Sequence, residues 1–210
     1  MKVNKLKTPT SLIILLMVSF ITINRDKKKK TSTLTDHDGS IREKYFRLEN
    51  KGWKSNSRTQ TIDQINFTAT EVPIEYYLLK NNGNDNLFLI DSLYQKHKNE
   101  RILEFQFEHD QEKDLLLEEF TQRDYKKSVE YMAFTIKKDF YAITSKTKDT
   151  IECQGIIFER NFKIAPYKKL LLFFSGINEN ESLKLIYKDQ LFGKGTIKFN
   201  LKERTQEIKP

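Results

Sequence analysis

The sequence predicts a mainly β fold, an antiparallel β-sandwich or barrel-like domain with one or two short helices, behind an N-terminal hydrophobic helix. From Glu130 onward, short apolar runs alternate with short polar turns, which favours antiparallel pairing because parallel strands need long crossovers. Earlier in the chain, Leu103, Phe105 and Phe107 alternate with polar residues, the period of a half-buried strand.

The period of two predicts further strands along the chain. Pro73 places the second of them near a sheet edge, where proline is tolerated. The run 170–174 is apolar on both faces and is the candidate for a central strand. In chain order the predicted strands are 65–69, 72–79, 103–107, 131–136, 140–144, 150–158, 170–174, 183–187 and 196–201.

Two short helices are predicted between the early strands. Leu87, Ile90 and Tyr94 have helical spacing, and Asn84 or Asp85 could cap their helix. The second helix is expected over the apolar run 115–120, because acidic residues before that run suit the first turn of a helix.

Residues 1–30 have the order of an export signal or membrane anchor. Three lysines within the first seven residues precede the apolar run 11–23. No pair of small residues suited to cleavage follows that run, which favours an uncleaved anchor over a cleaved signal. The uncharged stretch 8–24 is about 25 Å long as a helix, at the lower limit for a membrane span. A buried core helix is the third alternative, and lysines on both sides leave the orientation open.

The segment 31–61 is predicted as a polar linker, 62–203 as a single β-rich domain and 204–210 as a polar tail. The chain has 37 basic and 29 acidic residues, but residues 1–30 hold eight of the basic ones and only Asp26 among the acids. The remaining 29 basic and 28 acidic residues give a net charge of +1. We therefore expect no nucleic-acid binding, unless the lysines segregate to one face of the domain.

The sequence predicts no catalytic residue, no metal site and no cofactor. His37, His97 and His109 lack the spacing of metal ligands. Glu104 and Glu108 are separated by about 13 Å of strand, beyond the reach of a paired-carboxylate hydrolase. The single cysteine excludes an intrachain disulfide framework, and a buried thiol is favoured over a nucleophile at Cys153.

The candidate ligand site is the loop between Glu159 and Lys169. Arg160 offers a fork of donors, and Phe162 and Tyr167 offer apolar area, between two apolar strands. The alternative is a structural corner stiffened by Pro166.

These observations predict a non-enzymatic binding or interaction module of the cell envelope. Its N-terminal segment would hold it in a membrane or send it to a secreted or periplasmic location, with the domain extracytoplasmic. The expected partners are the membrane, through that segment, and a protein or glycan. The alternative is an exported hydrolase whose site is assembled from residues distant in sequence.

Overall fold

A computed structural model describes residues 56–83, 85–160, 165–178 and 180–202. The chain divides into two compact units, Met1–Leu34 and Thr35–Pro210, and all described residues belong to the second. The predicted anchor, most of the predicted linker and the predicted tail lie outside the described residues. In the part of the chain that is described, no helix is both long enough and apolar enough to cross a membrane.

The described residues form two antiparallel sheets, which confirms the prediction of a mainly β, antiparallel fold. The strands are β1 (Ser57–Ile62), β2 (Ile65–Val72), β3 (Glu100–His109), β4 (Phe140–Thr144), β5 (Thr150–Glu152), β6 (Gly155–Glu159), β7 (Tyr167–Ser175), β8 (Leu183–Asp189) and β9 (Gly195–Leu201). The five-stranded sheet has the order β1-β2-β3-β7-β6, and the four-stranded sheet has the order β5-β4-β8-β9. The apolar run 170–174 lies in β7, an interior strand as expected, although β3 occupies the middle of that sheet.

Aromatic side chains fill the space between the two sheets. Phe105 lies at the centre of this core, with its ring centroid 4.9 Å from Phe140, 5.0 Å from Phe107 and 5.3 Å from Phe199. Tyr187 stacks on Phe140 at 4.5 Å. The inward residues of β3, β4, β8 and β9 thus meet in edge-to-face and stacked contacts, which stabilise the core beyond the gain from apolar burial.

A helical hairpin covers part of the outer face of the five-stranded sheet. Its helices are α1 (Ile74–Asn82) and α2 (Leu87–His97), which enclose a second apolar cluster with Ile102. The prediction of a strand over 72–79 is wrong, because Ile74 and Leu78 are buried four residues apart, the spacing of a helix. The helix predicted after residue 84 is confirmed, but its cap is Asn86, whose Oδ1 accepts the Leu89 N–H.

The strand predicted over 131–136 is also absent. The chain instead runs through α3 (Glu118–Thr121), α4 (Tyr125–Glu130), a π-helix (Tyr131–Thr135) and a 3₁₀ turn (Ile136–Asp139). Ser128, Met132 and Ile136 are buried at intervals of four, while Phe134 is 76% exposed. This spacing is helical, so the apolar face of the segment meets the core from the end of α4 to the 3₁₀ turn.

The strand predicted over 150–158 is two strands in different sheets. At the corner, the Cys153 N–H donates to the Phe140 carbonyl at 3.3 Å, and the next N–H, of Gln154, donates to the Phe173 carbonyl at 2.8 Å. The chain therefore passes from the four-stranded to the five-stranded sheet between these residues, as strands do at the corners of sandwiches. Ile157 would share the inward face of Cys153 in one continuous strand but is 45% exposed, because the corner breaks the alternation.

Side chains also link the two sheets at the edge opposite the β5–β6 corner. Gln60 donates to the Lys198 carbonyl, and Asn56 donates to the Lys202 carbonyl at 3.0 Å. Both belong to the chain around β1, which begins at Ser57, inside the segment predicted as a linker. The two sheets are thus joined on both sides, by the β5–β6 corner and by these hydrogen bonds.

Candidate anion-binding surface

A depression of about 850 Å³ lies beside the β5–β6 corner. Three lysines line it: Lys137 and Lys138 from the 3₁₀ turn and Lys188 from β8. The other lining residues are Phe140, Tyr141, Thr150, Glu152, Cys153 and Gln154. Glu152 is the one acidic residue among them, so the lining carries a net positive charge.

Two further lysines continue from this depression across the outer face of the four-stranded sheet. Leu183, Leu185 and Tyr187 of β8 point into the core, so Lys184 and Lys188 point outward. Lys198 of β9 is paired with Ile186, which lies between them on β8. Lys198 is therefore diagonal to both β8 lysines, at a spacing of about 7–8 Å between backbone positions.

Together these five residues form a surface that we call the lysine stripe: Lys137, Lys138, Lys184, Lys188 and Lys198. The strand register places Lys184, Lys188 and Lys198 along the stretch of β8 from Lys184 to Lys188, which corresponds to about 13 Å. These three lysines lie on two neighbouring strands, which are about 5 Å apart, and Lys137 and Lys138 lie towards the Lys188 end, in the turn before β4. The part of the stripe that lies on the strands is thus longer than it is wide.

No lysine of the stripe forms an ion pair with a carboxylate among the described residues. Lys188 places its Nζ 5.0 Å from the centroid of the Tyr141 ring, and Lys137 Nζ donates to the Gln154 carbonyl at 3.4 Å. Four lysines elsewhere in the described domain form such pairs, as Lys168 does with Asp114 at 3.1 Å, whereas others, such as Lys80, Lys96 and Lys98, are exposed without one. Within the described part of the chain, the charge of the stripe therefore has no carboxylate counterion.

The outer face of the other sheet has the opposite character. Glu104 and Glu108 of β3 and Glu159 of β6 point outward there, beside Lys169 of β7. Lys169 Nζ lies 3.1 Å from Glu104 Oε2 and 4.0 Å from Glu159 Oε2. The outward strand residues of the two sheets thus differ in charge, mainly acidic on the five-stranded sheet and basic on the four-stranded sheet.

Two buried aspartates have hydrogen bonds inside the fold. Asp139 accepts from Tyr131 Oη at 2.6 Å, and burial, assisted by the charge of Asp189, raises its pKa to about 6. Asp189 accepts from Tyr187 Oη at 2.8 Å and from the N–H groups of Leu191 and Phe192. Asp189 therefore organises the turn from β8 to β9, and these contacts give both carboxylates a structural role.

The ligand site predicted from the sequence lies elsewhere in the domain. Arg160 is exposed at the end of β6, and its charge opposes the rise in the pKa of Tyr125 that burial and Asp114 cause. Tyr167 is half-buried at the start of β7, with Lys169 Nζ 5.3 Å from its ring centroid. Phe162 lies outside the described residues. Arg160 and Tyr167 thus occupy adjacent strands at the same end of the five-stranded sheet, and their role in binding stays a prediction.

The structure also shows where the residues considered for catalysis lie. Burial raises the pKa of the Cys153 thiol, and its Sγ donates to the Gly155 carbonyl at 3.1 Å. His109 is buried against Phe120, and its Nδ1 accepts the Gln111 N–H at 3.0 Å. Over the described ranges there is no group of three or more side chains that could hold a metal ion.

Comparisons with protein-family models, with curated proteins and with solved structures find no match. The geometry of the lysine stripe is therefore the main guide to function. Sequence reasoning missed the stripe because it summed charge over the domain. The signal was present at Lys184 and Lys198, which occupy polar positions of two predicted strands, while Lys188 follows directly after the predicted strand 183–187.

Proposed function

We propose that this chain is a non-enzymatic, membrane-anchored or exported binding module of the cell envelope whose lysine stripe binds an acidic protein or glycan. The observation that carries the proposal is the convergence of five lysines without carboxylate partners, in the described part of the chain, on one face. Two ammonium groups about 7 Å apart in water repel each other by about 0.6 kcal/mol. An acidic ligand between them replaces this repulsion with attraction, so the stripe favours anionic partners.

The depression gives such a ligand a place to be oriented. Each lysine ammonium offers three donors, and the Gln154 and Tyr141 side chains add polar groups near them. A concave site with a few converging polar groups on rigid strands is typical of ligand recognition. The stripe outside the depression then adds electrostatic attraction over a longer stretch of the partner.

The test is binding of the full chain, in a non-ionic detergent, to two polyanionic probes: poly-L-glutamate and dextran sulfate. The Lys27–Lys30 cluster is changed to glutamine in every protein so that this second basic segment does not contribute. Fluorescence anisotropy then compares the parent with Lys137→Gln/Lys138→Gln/Lys188→Gln. We expect affinity for at least one probe to fall about tenfold or more at low salt, since about three charge contacts are lost.

The matched control is Lys80→Gln/Lys96→Gln/Lys98→Gln, which removes the same charge from exposed positions in and beside the helical hairpin. Circular dichroism establishes that both triple variants keep the fold. Equal loss of affinity in the control and in the depression variant would show that total charge, and not this surface, drives binding. Absence of measurable binding to both probes would also contradict the proposal.

A further inference from the structure

We infer that the partner of the lysine stripe is an acidic polysaccharide, a linear glycan whose carboxylate or sulfate groups follow the stripe with one charged unit in the depression. The inference rests on the proposed function and names the chemical class of its ligand. Three features of the described residues carry it: the shape of the stripe, the state of the backbone beneath it and the side chains that accompany the lysines.

The shape favours a linear polyanion over a planar anionic surface. On the strands the stripe runs for about 13 Å over two neighbouring strands, and the depression lies at its Lys188 end. A planar surface of lipid headgroups would contact a two-dimensional array of charges equally well and would leave the depression unfilled. A linear chain instead can place one unit in the depression and its following charges on Lys198 and Lys184.

The backbone beneath the stripe is already hydrogen-bonded. β8 pairs with β4 on one side and with β9 on the other, so it has no free edge. Gln60 and Asn56 donate to the carbonyls of Lys198 and Lys202, along and just beyond β9. An extended peptide gains affinity by adding a strand to a free edge, and the edge strand beside the depression, β5, is only three residues long, so this gain is small here. Recognition must come mainly from side-chain charge, which suits a glycan better than an acidic peptide.

The accompanying side chains do not favour a nucleic acid. Proteins that bind single strands combine basic grooves with aromatic rings on which bases stack. Among the described outward residues of the four-stranded sheet, Tyr141 is the one aromatic residue; it is half-buried and lies below the Lys188 ammonium. The stripe contains lysine without arginine, and lysine acts as a point charge with no preference for bidentate geometry. Charged groups on a ligand without bases therefore match this surface best.

The experiment is a probe panel on the full chain in non-ionic detergent, again with Lys27–Lys30 changed to glutamine. Polygalacturonate and dextran sulfate represent carboxylated and sulfated glycans, and neutral dextran is the uncharged control. Poly-L-glutamate, a 20-residue oligothymidylate and vesicles of anionic phospholipid represent the other classes. At equal charge concentration we expect at least one acidic glycan to bind about tenfold more tightly than any of these three, and neutral dextran not to bind.

Dependence on the stripe is measured with Lys184→Gln/Lys188→Gln/Lys198→Gln. We expect the affinity of this variant for the glycan to be lower by about tenfold or more. The slope of log K against log salt concentration should become smaller in magnitude by about two to three. Arginine at the same three positions should restore affinity, and the Lys80, Lys96 and Lys98 control should not lose it.

The outcomes separate the inference from the proposed function. If the peptide, the oligonucleotide or the vesicles bind as tightly as the glycans, with the same dependence on the stripe, the glycan inference is wrong and the stripe remains a binding surface. Binding of neutral dextran comparable to that of the acidic glycans would likewise overturn the inference. If no probe depends on the stripe lysines, both the inference and the proposed function are wrong.

Discussion

Replacing Asp139 with asparagine should stabilise the domain at neutral pH. Asp139 is only 6% exposed, and burial raises the pKa of its carboxyl group from 3.8 to about 6. Its hydrogen bond with Tyr131 Oη and the charge of Arg123 oppose the rise but do not cancel it. Asparagine keeps an oxygen that can accept from Tyr131 and cannot ionise, so it retains the contact without the buried charge.

The sign of the pH dependence follows from the raised pKa. A carboxyl group whose pKa is higher in the folded chain stabilises the fold while it is protonated, so the stability of the parent decreases as pH rises from about 4 to about 6. A shift from 3.8 to about 6 corresponds to at most about 3 kcal/mol over this range. In a domain of this size, a free-energy difference of about 3 kcal/mol corresponds to a rise in Tm of about 5–10 °C for Asp139→Asn at pH 7. At pH 4 the expected rise is almost zero.

Thermal unfolding of the full chain, followed by circular dichroism at pH 4, 5, 6 and 7, measures this difference. The control is Asp149→Asn, which removes an exposed carboxylate from the loop between β4 and β5 and should leave the pH dependence of the parent unchanged. A Tm of Asp139→Asn below that of the parent at both pH 4 and pH 7 would refute the reasoning. It would mean that attraction between the Asp139 carboxylate and Arg123 outweighs the cost of burial.

Two further predictions concern the anchor and the loop site. The full chain with an intact Met1 segment should fractionate with membranes or be exported, because a charged region precedes an apolar one; fully soluble cytoplasmic protein would contradict this. Arg160→Ala and Tyr167→Ala, made singly, should leave Tm almost unchanged if the two side chains serve binding; a loss of several degrees in both would assign them to the structural corner instead.

Alternation predicted the strands that build the core, because burial of one face imposes a period of two. Leu103, Phe105 and Phe107 face inward as expected, and so do the alternate residues of β8 and β9. The same rule failed for 72–79 and 131–136. A short apolar run satisfies both a strand and a helix, and only the packed structure decides between them. The exposed Phe134 and the buried pairs four residues apart distinguish the helix once burial is known.

The pattern of apolar residues could not predict two features of the fold, strand β1 and the β5–β6 corner. β1 is exposed along most of its length, so its residues Ser57–Ile62 carry almost no burial signal. The β1–β2 turn uses Asp63 and Gln64 at positive φ of 47° and 66°, where asparagine and glycine are the usual indicators of a hairpin. The corner at Cys153 and Gln154 was hidden for a related reason, because apolar residues continue on both sides of it while the strand changes sheets.

The position of the lysine stripe depends on the same register that forms the core. Lys184 and Lys188 alternate with Leu183, Leu185 and Tyr187, so a slip of one residue would bury the lysines and expose the apolar residues. The free energy of core packing therefore also fixes where the charges lie, and a net charge of +1 says nothing about this arrangement. Because β8 is held by hydrogen bonds on both sides, the backbone beneath its lysines is ordered before any ligand arrives. A partner that binds there has to order only the lysine side chains, which lowers the entropic cost of recognition.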